Sequence, residues 1–108
     1  MSTNTRILLS AFASVVLGSA AHAADPVKLI GTIAIPGTPL ENYDISFVDQ
    51  KTHRYYLADR SNAGIDIFDT QKGSYVGRVT GFVGVTEKST AAGPNGVVVA
   101  GNTGEAWV

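Results

Sequence analysis

The chain has 108 residues, 44% of them hydrophobic and 16% charged, the balance of a globular sequence with a packed core rather than a disordered one. Eight basic against nine acidic side chains leave no positive footprint for a polyanion, which excludes nucleic acid as a partner. Cysteine is absent, so disulfides, thiolate metal sites and cysteine nucleophiles are excluded together.

In chain order, Met1 to Arg6 is short, polar and singly positive, Ile7 to Ala20 is uncharged and apolar, and Ala21-His22-Ala23 places small residues around a cleavage point. This is the pattern of a secretory signal peptide over 1–23, cut after Ala23. The apolar run is too short for a membrane anchor: about 14 residues rising 1.5 Å each reach about 21 Å, against roughly 30 Å of hydrocarbon. A periplasmic or secreted protein is expected, with no membrane span left after cleavage.

Beyond the cut the apolar residues alternate or cluster in short runs rich in Val, Ile, Tyr and Phe, which predicts strands and no helix. Expected strands are Lys28 to Ile35, Ile45 to Asp49, Arg54 to Asp59, Gly64 to Asp69, Ser74 to Val79, Gly96 to Ala100 and Glu105 to Val108. Pro36-Gly37 stops the first, Gln50 to His53 forms a polar hairpin loop, and Gln71-Lys72-Gly73 puts a glycine where positive φ is needed.

An internal repeat decides among all-β architectures. Asp44 to Asp49, continued through Leu57, superposes without a gap on Asn95 to Ala100, continued through Val108. Phe47-Val48 meet Val98-Val99, Thr52 meets Thr103, and Tyr56-Leu57 meet Trp107-Val108, at a spacing of 51. Leu29-Ile30-Gly31-Thr32-Ile33 separately resembles Tyr75-Val76-Gly77-Arg78-Val79. A last strand, a whole four-stranded blade and half a blade is an order that suits a β-propeller, whose ring is commonly closed by an N-terminal strand completing the final blade.

The expected fold is therefore all-β, an incomplete propeller of about one and a half blades. Residues 24–37 would carry the closing outer strand, 44–80 the first blade, 81–94 a loop and 95–108 the start of the second blade. Closed rings take roughly 200 to 400 residues, so a truncated sequence or fragment is expected. A small β-sandwich or an assembly in trans is the alternative, although neither requires a repeat.

Tyr55-Tyr56-Leu57-Ala58-Asp59-Arg60-Ser61-Asn62-Ala63-Gly64-Ile65-Asp66-Ile67-Phe68-Asp69-Thr70, followed by Gly73 and Val76-Gly77-Arg78-Val79, resembles the YVTN-type repeat of YncE-like bacterial β-propellers. Gly93 to Val97 and Glu105 to Val108 are similar to the opening of the next repeat. The resemblance implies a propeller fold. It implies little about function, since such repeats occur in surface-layer proteins, periplasmic binding proteins and, more distantly, lactonase and quinoprotein propellers.

In a propeller the loop between strands two and three and the loop into the next blade share the face around the channel mouth, here Asp59 to Ala63 and Gly81 to Asn95. Asp59, Arg60 and Asn62 are candidate ligand residues: a carboxylate, a planar donor fork and an amide suit an anionic or polar ligand or a metal-bound water. The competing role is structural, with Asp and Asn bonding their own turn and Arg60 pairing with Asp59 or Asp44. Asp44 and the matching Asn95 open the innermost strands, where a lactonase-like propeller holds its metal, or else serve as turn residues.

Asp69-Thr70 is read as a hairpin cap and His53 as a surface histidine. His53 is the one imidazole past Ala23, too few for a zinc cluster, so no metal site is assigned. The serines lack a nucleophile-elbow setting and no helix follows a glycine cluster, which excludes acyl transfer and phosphate-loop binding. Tyr43, Tyr55, Tyr56, Phe68 and Trp107 have strand spacing and suit packing between blades. The sequence thus points to a binding or interaction scaffold for an unknown small molecule or protein. The alternative is a metal-dependent lactonase-like hydrolase or quinoprotein, or a fragment without function; no cofactor is specified.

Overall fold

A computed structural model describes residues 27–108, so segment 1–23, expected from the sequence to be a signal peptide, lies outside the described residues. Among the described residues the chain is all-β, with no helix. Strands β1 (Phe47–Asp49), β2 (Arg54–Asp59), β3 (Gly64–Asp69) and β4 (Ser74–Val79) form an antiparallel sheet in sequence order, and β5 (Val98–Val99) with β6 (Ala106–Trp107) forms a two-stranded sheet.

The hairpins of the first sheet share one turn chemistry. Asp49, Asp59 and Asp69 each end a strand, and each carboxylate accepts backbone N–H groups two or three residues on: Lys51 at 3.0 Å, Asn62 at 2.9 Å, and Gln71 and Lys72 at 3.0 and 2.9 Å. Four residues later the backbone turns left-handed at His53 (φ 54°), Ala63 (φ 52°) and Gly73 (φ 61°). An Asp that satisfies the turn donors and a residue that accepts positive φ close each reversal. Asp69 is thus the cap that the sequence suggests, and His53 lies in an exposed turn.

The repeat holds in three dimensions, residue for residue. In the first hairpin Phe47 pairs with Tyr56 and Val48 with Tyr55; in the second, Val98 pairs with Trp107 and Val99 with Ala106. Adding the sequence spacing to each partner of the first pair gives the second. The left-handed residue of the turn shifts equally, from His53 to Gly104 (φ 75°). Ile45 and its equivalent Gly96 form an isolated parallel bridge, so the two repeats stand side by side at their openings.

Alternation gives the sheet two faces. On one, Ala58 (0% exposed) and Ile65 (2%) pack with Val97 (5%), flanked by Phe47, Tyr56 and Phe82; burying Ile65 alone contributes about 1.5–3 kcal/mol. On the other, Tyr55, Phe68 and Tyr75 form an aromatic row across β2, β3 and β4, each neighbouring pair of rings 5.6 Å apart between centroids. These contacts span strands of one sheet rather than two blades. Tyr43 and Trp107 remain exposed.

Two expectations need correction. Lys28 to Ile35 forms no strand: it runs unpaired across the aromatic face, lining a cleft with Tyr55, Leu57 and Phe68. Extended chain becomes a strand only beside a free edge in register, and the chain is tied at Pro36 and Thr38 so that it crosses the sheet instead of running beside β4. The strands expected over Ile45 to Asp49, Gly96 to Ala100 and Glu105 to Val108 shrink to β1, β5 and β6.

Candidate functional site

The turn after β2, the chain entering at Pro36 to Asp44 and the loop from Gly81 to Asn95 meet at one end of the sheet. The two loops that the sequence assigns to a common face are in direct contact, since the Val85 N–H donates to the Arg60 carbonyl at 2.9 Å. Gly84 makes this approach, because a Cβ there would stand 2.7 Å from the Ala63 Cβ.

Asp59 is fully buried and its oxygens are committed. Oδ1 accepts the Asn62 N–H at 2.9 Å; Oδ2 accepts the Asn62 amide at 2.7 Å and Arg78 Nη2 at 3.2 Å. The Asn62 side chain is equally engaged, taking the Thr38 N–H and hydroxyl at 2.8 and 2.9 Å and donating to the Thr38 carbonyl at 3.0 Å. Gly37 (φ +112°) is required beside it, where a Cβ would lie 2.3 Å from Asn62 Oδ1. Asp59 and Asn62 therefore fasten the entering chain to the β2–β3 turn.

Arg60 braces the long loop. Its Nε donates to the Ala92 carbonyl at 3.0 Å, Nη2 to the Thr90 carbonyl, and Nη1 lies 3.6 Å from Asp44 Oδ2. Asp44 also accepts the Ile45 N–H at 2.9 Å. Arg60 pairs with Asp44, then, and not with Asp59. Asn95 is exposed on the neighbouring stretch, beside a cleft of about 570 Å³ lined by Phe82, Val83, Pro94 and Val108. The structure brings Asp44 and Arg60 together, keeps Asp59 and Asn62 on the same turn but turned inward, and leaves Asn95 on the rim.

Sequence reasoning missed the centre of this end of the sheet, which is Arg78. Its guanidinium forks onto the buried Asp66, Nε to Oδ1 at 2.7 Å and Nη2 to Oδ2 at 3.1 Å, while Nη2 also reaches Asp59 and the Pro36 carbonyl. Tyr75 donates its hydroxyl to Asp66 at 3.1 Å. The arginine lies across Gly64, where a Cβ would meet its Cγ at 2.5 Å. Burial pushes the Asp66 carboxyl up, against the pull of Arg78, and the bond to Asp66 raises the arginine further above its ordinary value. The available signal was register: Asp66 and Arg78 are direct partners across the β3–β4 hairpin.

What this end of the sheet offers a ligand is limited to groups still facing outward. A groove of about 390 Å³ opens between Thr38 to Asn42, Ser61 and the Val85-Thr86-Glu87 stretch of the loop. Among the described residues no three histidine, cysteine or carboxylate side chains converge on one point, and every buried side-chain polar atom has a partner. Among the described residues no helix is long and apolar enough to cross a membrane. Comparison with protein-family models, curated proteins and solved structures finds no match to this chain.

Proposed function

We propose that the chain supplies the opening blades of an exported β-propeller of the YncE-like kind, used as a scaffold that binds a small molecule or a protein partner. The observation that carries this reading is the repetition of hairpin register and of the left-handed turn position between Phe47–Tyr56 and Val98–Trp107, with the equivalent residues Ile45 and Gly96 bridged in parallel. A β-sandwich needs no such relation, whereas strands arranged about a central axis produce it at every step. The all-β course and the meander order of the first sheet agree with a blade.

Binding is assigned to the end of the sheet where Arg60 braces the Gly81–Asn95 loop, with Asp44 and Asn95 at the rim, because rigidly held loops on one side of a scaffold present contact groups at low entropic cost. No chemistry is assigned to these residues. The test begins with the protein as exported by its host. Intact mass should place the mature N-terminus after Ala23, and electron micrographs should show a ring with a central channel. A compact particle without a channel would overturn the propeller, retention of residues 1–23 would overturn export, and lactone hydrolysis dependent on a divalent cation would replace the scaffold by an enzyme.

A further inference from the structure

Pro36 is tied to Arg78 and Thr38 to Asn62, and both ties lead to one buried ionic group. Asp59 on β2 and Asp66 on β3 have no exposure to water, and a single cation, Arg78 on β4, is shared between them at 3.2 and 2.7 Å. Tyr75, also on β4, donates its hydroxyl to Asp66 Oδ1 at 3.1 Å. The entering chain brings no charge to the group, only the Pro36 carbonyl, which accepts from Arg78 Nη2 at 3.0 Å. With both carboxylates ionised the group holds two negative charges against one positive, and the surplus charge lies out of water, where it is costly.

The count of hydrogens points the same way. Nη2 carries two hydrogens and faces three acceptors: the Pro36 carbonyl at 3.0 Å, Asp66 Oδ2 at 3.1 Å and Asp59 Oδ2 at 3.2 Å. A proton from solvent on Asp66 Oδ2 cancels the surplus charge and withdraws that oxygen as a competitor, which leaves one hydrogen each for Asp59 and Pro36. Arg78 Nε and the Tyr75 hydroxyl still have Oδ1. Asp59 stays ionised and keeps the Asn62 amide at 2.7 Å, and Asn62 in turn holds the Thr38 N–H at 2.8 Å and its carbonyl at 3.0 Å. Burial, which pushes the Asp66 carboxyl up, acts in the same sense.

We propose that Asp59, Asp66 and Arg78 form a proton-dependent clasp on the entering chain, which grips Pro36–Thr38 when Asp66 is protonated and loosens as Asp66 ionises. Thr38 is also part of the wall of the groove beside Ser61 and Thr86, so the clasp sets the shape of that groove at its Thr38 end. Ser61 keeps Glu41 and Asn42 in place through their N–H groups, at 3.0 and 2.8 Å, which confines the movement to the stretch before them. Every residue of the clasp lies between Pro36 and Arg78, and it works whether or not further blades follow.

Hydrogen exchange of the Thr38 N–H in the full exported chain reads the clasp directly, once rates are corrected for the intrinsic dependence of exchange on pH. From about pH 4 upward its protection should fall, by up to about tenfold per pH unit while one proton is being lost, and level off when Asp66 is ionised. The ladder amides of β3 should stay better protected than Thr38 throughout, the mark of a local opening. Asp66→Asn, neutral at every pH, should hold the Thr38 protection level. Tyr75→Phe removes a donor to the ionised carboxylate and should carry the fall to higher pH. Level protection in the unmodified chain, a fall that persists in Asp66→Asn, or Thr38 protection equal to that of β3 overturns the clasp. If Asp66→Asn does not fold, the Tyr75→Phe profile decides, and one that matches the unmodified chain overturns it.

Discussion

The two faces of the first sheet are held by different forces. The Ile65 face is aliphatic and draws on residues far along the chain, Val97 and Phe82, through contacts that depend little on direction. The opposite face begins with the Tyr55–Phe68–Tyr75 row and ends in a guanidinium shared by two carboxylates that have no exposure to water. The first face supplies burial, roughly in proportion to apolar area. The second fixes positions, because each charge must find its partner or bear the cost of desolvation. The directional face is also the one that ties Pro36 and Thr38 to the sheet, through the Arg78 guanidinium and the Asn62 side chain.

The sharpest way to break this contrast is Arg78→Met. It leaves Asp59 and Asp66 buried without their cation, and urea denaturation should show a loss of about 3–5 kcal/mol. Arg78→Lys should recover only part of it, since an ammonium does not supply the two-pronged contact to Asp66. Ile65→Ala on the aliphatic face should cost somewhat less, about 3 kcal/mol. If the aliphatic change proves much the larger, the ions are incidental to stability and the contrast fails.

A smaller effect, of opposite sign, is expected in the β2–β3 turn. Ala63 holds φ 52°, a conformation that strains a side chain with a Cβ, so Ala63→Gly should raise the denaturation midpoint by up to about 1 kcal/mol in stability. No gain would mean that the contact with the long loop near Gly84 already offsets the strain.

The smallest effects separate the faces by pH. The N–H of Lys72, helped by that of Gln71 and by Arg54, holds the Asp69 carboxyl below its ordinary value of 3.8. Its folded value is depressed, so its contribution is complete above the unfolded value and is lost as pH falls through the folded one. Asp66 runs the other way: burial raises it, the folded state takes up the proton first, and stability from this group declines as pH rises from the unfolded value through the raised one. Asp69→Asn should flatten the acid limb of a stability profile, and Asp66→Asn should flatten the slope at higher pH. The same change in both variants would show that neither carboxyl is titrating as its surroundings dictate.

Much of the sheet was legible from the sequence. The bounds expected for β2, β3 and β4 coincide with those observed, because alternating apolar residues and an Asp-led turn specify a hairpin locally. The spacing of the repeat was also legible, and it reappears as identical pairing. The candidate site was legible only as a location. Asp59, Arg60 and Asn62 do gather at the turn, but the partners that engage them, Thr38, Arg78, Thr90 and Ala92, lie 19 to 32 residues away, and no local pattern names them.

The sequence by itself determined the all-β class, the central hairpins and the equivalence of Asp44–Leu57 with Asn95–Val108, since strand alternation and turn chemistry are properties of neighbouring residues. Only the tertiary structure decided that Arg78 would bind Asp66 and Asp59 together, and that Lys28–Ile35 would cross the aromatic face unpaired. Both outcomes depend on which distant groups a strand meets once its register is set, and a buried charge or an unpaired backbone has no preference until those neighbours are in place.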